Sequence, residues 1–256
     1  MNGKCGGKVE GSLWVKKKNK RMIAIVQSCY IPWKGFFDLI ACADEFILYD
    51  DMQYTRRDWR NRNLIKTAQG LSWLTVPVRV KGKYFQSIRD TEIDGHDWQE
   101  KHWKTICQNY RRAPYFSEIS KILEPLYLGR RYDLLSDLNR TLIEAICPLL
   151  GIFTPIKWSW DYHLVDGKTE RLVDLCLQAG GTDYTSGPAA REYIDKSLFD
   201  QAGVDLHYFD YSNYPKYPQL WGEFEHGVTV LDLLFNCGSG APEYMKFPSS
   251  RISINS

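Results

Sequence analysis

The chain has 256 residues, 44% hydrophobic and 25% charged, which are the proportions of a globular protein and not of a disordered, collagenous or membrane chain. No stretch approaches the roughly 18 uninterrupted apolar residues of a membrane span, so membrane insertion is not expected. The net charge of +2 hides an asymmetry: residues 1–21 carry seven Lys/Arg against one acid, leaving 26 bases against 30 acids in the body, which disfavours nucleic-acid binding.

Residues 1–21 are rich in Gly and Lys, lack a hydrophobic period and read as a flexible basic extension. A single α/β domain is expected over 22–240, with inserted helices at about 97–150 and a tail over 241–256. Residues 22–27 (MIAIVQ) form a first buried strand, and Pro32 biases Ile31 away from helix. Apolar residues at 33, 36, 37, 40 and 43 have the spacing of an amphipathic helix, and 45–50 (EFILYD) form a second strand. One β-α-β unit makes these strands parallel, so the SCYIPWKG loop and the Asp50–Asp51 pair share the carboxyl edge of a sheet, where ligands of open α/β sheets bind.

The middle changes character. Leu64 to Val80 alternates and turns like a hairpin, with Pro77 at an irregular position. Helices follow at 97–110, opened by an Asp cap, at 115–127, and at 132–150, capped by Asp133 or Ser136 and stopped by Gly151. The α/β pattern resumes with a strand at 155–160, a helix at 169–179, a strand at 182–185, a short helix from Pro188 to Tyr193 and a strand at 205–208. The expected fold is thus a mostly parallel, Rossmann-like sheet flanked by helices, with an inserted hairpin and helical segment.

The seven cysteines are scattered without a C-x-x-C pair, which reads as reduced thiols in a cytoplasmic protein. The five histidines have no zinc spacing, so no metal site is expected, and no G-x-S-x-G elbow is present. The densest polar run is 50–63, DDMQYTRRDWRNRN, directly after a buried strand. Paired carboxylates suit a base or Mg²⁺, and arginines fork onto phosphates or carboxylates. Asp50 and Asp51 are therefore the candidate catalytic residues. The Asn61-Arg62-Asn63 alternation puts both amides on one face of an extended chain and Arg62 on the other. Gln27, Tyr30, Trp59, Asn61, Arg62, Asn63, Ser186, Gly187 and Tyr193 are the candidate binding residues, Ser186 capping the helix that Pro188 opens. Gly35 offers a backbone approach to an anion, and Cys29 lacks an identified His partner. Tyrosines and prolines over 208–219 suit sugars, bases or a partner protein.

With these residues in view, the chain resembles the WbqC-like family of bacteria from about Met22 to about Cys237. The likeness is carried by IAIVQSCYIPWKGFFDLI, ADEFILYDDMQYTRRDWRNRN, LTVPV, YTSGPAAREYID and VTVLDLLFN. Members tend to have Pro where this chain has Ser28, and some have His in place of Val26, so a mechanism using that His does not transfer. The strand, x-Pro-x-x-Gly loop and helix also look like the opening of HIGH-type nucleotidyltransferases, whose histidines IPWKG lacks. The family resemblance implies cytoplasmic work among genes for O-antigen and other surface polysaccharides. It points to a sugar nucleotide or an activated acyl or aminoacyl donor without supplying a reaction; the leading expectation is a transferase acting on a nucleotide-linked amino sugar, by acyl or aminoacyl transfer to an amine. The donor would be an acyl or aminoacyl thioester, on CoA or a carrier protein. A nucleotidyltransferase using NTP and Mg²⁺ through Asp50 and Asp51, and a non-catalytic sugar-nucleotide binding protein, are the alternatives.

Overall fold

A computed structural model describes residues 20–247. The alternating apolar run MIAIV forms β1 (Met22–Val26), followed by α1 (Lys34–Cys42) and β2 (Glu45–Leu48). β1 and β2 pair in parallel, with Ala24 opposite Phe46. An antiparallel hairpin of β3 (Arg62–Thr67) and β4 (Gly70–Thr75) stands apart as its own two-stranded sheet. Gly70 takes the turn at a φ of 109°, which L side chains rarely adopt. Three helices follow: α2 (Asp97–Tyr110), α3 (Phe116–Leu128) and α4 (Leu135–Ile146). The chain then returns through β5 (Ile156–Trp158), α5 (Thr169–Gln178), β6 (Asp183–Ser186), α6 (Lys196–Ala202), β7 (Asp205–Tyr208) and α7 (Val230–Cys237).

The main sheet runs β5-β2-β1-β6-β7, every neighbouring pair parallel. Its two faces follow from the two-residue period of a strand. Ile23, Ile25 and Ile47 pack with Leu172 and Leu175 of α5 and Phe199 of α6. Ala24, Phe46 and Leu48 pack on the opposite side with α1, α4 and α7 in the larger core. The result is a helix–sheet–helix sandwich in which every main-sheet strand ends at one edge. The loops after β1, β2 and β6 surface there together.

Several local expectations are corrected. No Asp or Ser side chain caps the three inserted helices; His96, Tyr115 and Leu134 stand at their N-caps, and Ser136 donates instead to Asp50. Ser186 ends β6, and the turn from Pro188 to Glu192 is a 3₁₀ helix whose N-cap is Gly187. The sequence reading had no helix at α6, although Asp195 caps it by accepting from the Ser197 N–H and Gly203 closes it at a φ of 67°. The 1–21 extension lies outside the described residues except for its last two. Arg21 donates to the Ala179 carbonyl and pairs with Glu45 at 3.0 Å, so the ordered body begins before Met22. It also runs past residue 240, because the backbone N–H groups of Lys246 and Phe247 donate to buried Asp38.

Candidate functional site

A cleft of about 970 Å³ opens at the carboxyl edge of the main sheet. Gln27 follows β1 into it, Tyr49 follows β2, and Ser186 and Gly187 bring the end of β6. Three cations, Arg60, Lys168 and Arg171, line it, and no carboxylate does. Tyr49, Tyr184, Tyr193 and Tyr211 supply the aromatic wall. A cavity of this size and edge position falls within the range of small-molecule sites, and its cationic lining suits an anionic ligand.

The two arginines are held from behind. Arg60 donates through one terminal nitrogen to the carbonyls of Gln27 (3.2 Å) and Ser28 (3.1 Å), reaches the Cys29 Sγ at 2.9 Å, and has Asp58 3.6 Å from its Nε. Arg171, in the first turn of α5, donates from Nε to the Val165 carbonyl at 2.6 Å and hydrogen-bonds the Tyr49 side chain. Burial raises the Tyr49 pKa against the pull of Arg171, so its phenol stays protonated. A guanidinium positioned by backbone carbonyls keeps its charge and loses little further freedom on meeting a ligand.

A second, smaller cavity of about 340 Å³ adjoins the cleft, sharing Cys29 and Trp59 with it. Pro32, Trp33 and Phe36 give it apolar walls, and Asn63 and His226 its few polar atoms. Gly35 matters here: a Cβ would sit 2.3 Å from the Trp33 indole, so glycine lets that ring fold back over the start of α1. The backbone approach expected for an anion is thus taken by an aromatic side chain. Lys34 beside it is buried and donates to the carbonyls of Pro215 and Tyr244.

The sequence-derived site residues divide three ways. Gln27, Trp59, Ser186, Gly187 and Tyr193 line the cleft, and Asn63 lines the smaller cavity. Tyr30 and Asn61 are buried as supports. The Tyr30 hydroxyl bonds His102 Nδ1 (2.8 Å) and the Tyr127 hydroxyl (2.7 Å), and the Asn61 amide donates to the Val76 carbonyl. Arg62 turns the other way, 4.0 Å over the Trp73 ring and donating to the Arg57 carbonyl. Arg60, two residues earlier, faces the cleft in its place.

The two aspartates stand apart from the cleft. Asp50 has no solvent exposure and accepts from the Ser28 N–H (2.7 Å), the Ser28 hydroxyl (2.7 Å) and the Ser136 hydroxyl (2.6 Å). Burial raises its pKa while those three donors lower it. Asp51 accepts from the Ser159 hydroxyl and lies 3.7 Å from Arg89. Neither lines the cleft, and their hydrogen-bond partners lie on different segments. Asp50 instead ties the loop after β1 to α4. Among the described residues, Asp183, Asp205 and His207 form the one cluster with metal-ligand reach. They lie at the opposite edge of the sheet, and the Lys20 ammonium sits 3.3 Å from Asp183 and 3.8 Å from Asp205.

Sequence reasoning missed Lys168 and Arg171. The available signal was DGKTER at 166–171, a basic Gly-Lys-Thr entry to an amphipathic helix at the same sheet edge. It also assigned the arginine role to Arg62, because strand alternation alone does not say where the strand begins.

A family model described as the WbqC-like protein family matches residues 27–244. The chain is also similar to a protein of Mycobacterium tuberculosis (strain ATCC 25618 / H37Rv) named "Uncharacterized protein Rv1507c". The two are 57% identical over 227 residues, covering 89% of this chain and 98% of that protein. No solved structure matches. Among the described residues no helix is long and apolar enough to cross a membrane.

Proposed function

Because the chain belongs to the WbqC-like protein family, we propose that it is a transferase for a nucleotide-linked amino sugar, joining an acyl or aminoacyl group to the sugar amine during surface-polysaccharide synthesis. The observation that carries this reading is the cleft lined by Arg60, Lys168 and Arg171 without a carboxylate. A nucleoside diphosphate is an anion of the right size and charge for it, since guanidinium groups bind phosphate oxygens by paired, charge-assisted hydrogen bonds. The tyrosines beside the cations offer stacking faces and hydroxyls to a sugar or base.

The chemistry is balanced without an outside oxidant or reductant. The amine attacks the thioester carbonyl, the C–N bond forms, the C–S bond breaks, and the departing thiolate takes up the amine proton. Such a step calls for donors aimed at the carbonyl oxygen and an acceptor for the proton in transit. Asp50 is buried with its oxygens already engaged by Ser28 and Ser136, which leaves it poorly placed to accept that proton. Nucleotidyl transfer would need Asp50 and Asp51 together on Mg²⁺, and their separate partners do not favour it.

Thermal-shift titration with UDP, UDP- and dTDP-linked amino sugars, CoA, and ATP with and without Mg²⁺ tests the reading. A bound ligand stabilises by about 2.7 kcal/mol at a hundredfold excess over Kd. Stabilisation by a nucleoside-diphosphate sugar, with amide formation when an acyl thioester is added, is expected. A response confined to ATP with Mg²⁺ would overturn it in favour of nucleotidyl transfer. Sugar-nucleotide binding with no turnover for any thioester would make the protein a binding protein.

A further inference from the structure

The smaller cavity shares Cys29 and Trp59 with the cationic cleft but has a different chemistry. Its walls are the rings of Trp33, Phe36, Trp59 and Pro32, and it contains no charged side chain at neutral pH. Its polar side chains are mostly committed. The Asn63 amide donates to the carbonyls of Tyr30 (3.1 Å) and Ile31 (2.9 Å), and its oxygen accepts from the Leu64 N–H (2.8 Å). Burial raises the Cys29 thiol to about 11, so it stays neutral. His226 also lines the cavity, but its Nδ1 is closed off from solvent and offers nothing to an occupant.

We propose that this chamber receives the apolar acyl chain of a thioester donor. This rests on the acyl-transfer reading above for the identity of the donor. Size agrees: a dry cavity of about 150 Å³ holds a benzene ring, so one of about 340 Å³ holds a group roughly twice as large. A nucleobase is the rival occupant. Each of its ring edges presents several donors and acceptors, and walls whose polar side chains are already engaged leave them unsatisfied on burial. An acyl chain asks nothing polar of these walls. The shared boundary at Cys29 and Trp59 then puts the acyl end next to the sugar nucleotide, as transfer between the two requires.

The test titrates two probes separately into the protein: UDP for the cleft, and S-acyl-N-acetylcysteamine thioesters of two, four, six and twelve carbons for the chamber. Each added CH₂ that is buried should tighten binding about fourfold, so affinity should climb from acetyl to hexanoyl and fall at dodecanoyl, once the chamber is full. His226→Trp, which fills the chamber, should weaken the hexanoyl probe tenfold or more and leave UDP within about twofold, UDP binding itself showing that the variant is folded. Affinity independent of chain length in the wild-type protein overturns the proposal, whether or not the variant folds. So does His226→Trp that loses UDP while melting normally, since a base would then occupy the chamber. Failure of UDP to bind while the chain-length series behaves as expected overturns the nucleotide reading and leaves the acyl chamber standing.

Discussion

Asp50 joins two segments far apart in the chain, accepting from Ser28 after β1 and from Ser136 in α4. Asn139 extends the same node by donating to the Ser28 hydroxyl and to the Arg60 carbonyl, both at 2.9 Å. The carboxylate therefore sets the position of the loop that carries Gln27 and Cys29, and through Asn139 that of the cleft arginine. Removing it leaves three buried donors without an acceptor, at about 1–3 kcal/mol each. Asp50→Ala should lower the unfolding free energy by about 3 kcal/mol or more in urea denaturation. A loss of activity at unchanged stability would instead give Asp50 a chemical role. The alternation that turns Asn61 and Asn63 inward and Arg62 outward was legible in the sequence, because strand period alone dictates it. What the inward amides meet was not. They bind backbone carbonyls of other segments, and Asn63 holds Ile31 at a φ of 36°, a conformation that a β-branched residue rarely adopts.

At the scale of elements, α2 to α4 read in the sequence as an inserted helical segment, and in the structure they pack behind the loop after β1. His102 of α2 bonds the Tyr30 hydroxyl at 2.8 Å, which also meets Tyr127 of α3. Burial holds the His102 pKa down at about 4 from 6.5. A depressed folded-state pKa contributes stability that is fully present above the unfolded value and is lost as pH falls through the folded one. The His102 contribution is thus complete above pH 6.5 and disappears toward about pH 4, amounting to about 3 kcal/mol at 1.36 kcal/mol per unit. Urea denaturation at pH 7, 6, 5 and 4 should show a steeper decline for the wild-type protein than for His102→Gln. Parallel profiles would mean that the imidazole titrates alike in both states. Helix positions followed from apolar periodicity, whereas the links between α2, α3 and the loop after β1 are side-chain contacts across 72 and 97 residues, for which no local pattern exists.

For the whole molecule, parallel strand order predicted that the loops after β1, β2 and β6 would emerge at one edge, and they do. The same rule did not reveal which side chains face the cleft and which close the loops from behind, since that depends on packing of both helical layers. Charge composition was equally silent: a net charge of +2 coexists with a cleft lined by three cations and no acid. The central claim is that these cations hold the phosphates of a nucleotide-linked substrate. Its most direct test is isothermal titration of UDP into the wild-type protein, Arg171→Ala and Arg62→Ala at one ionic strength. A hydrogen bond to a charged group contributes about 1.5–3 kcal/mol, so Arg171→Ala should weaken UDP about tenfold or more. Arg62→Ala, which removes a side chain packed on Trp73 outside the cleft, should leave it within about twofold. Equal losses from the two substitutions, or UDP affinity untouched by Arg171→Ala, would contradict the account.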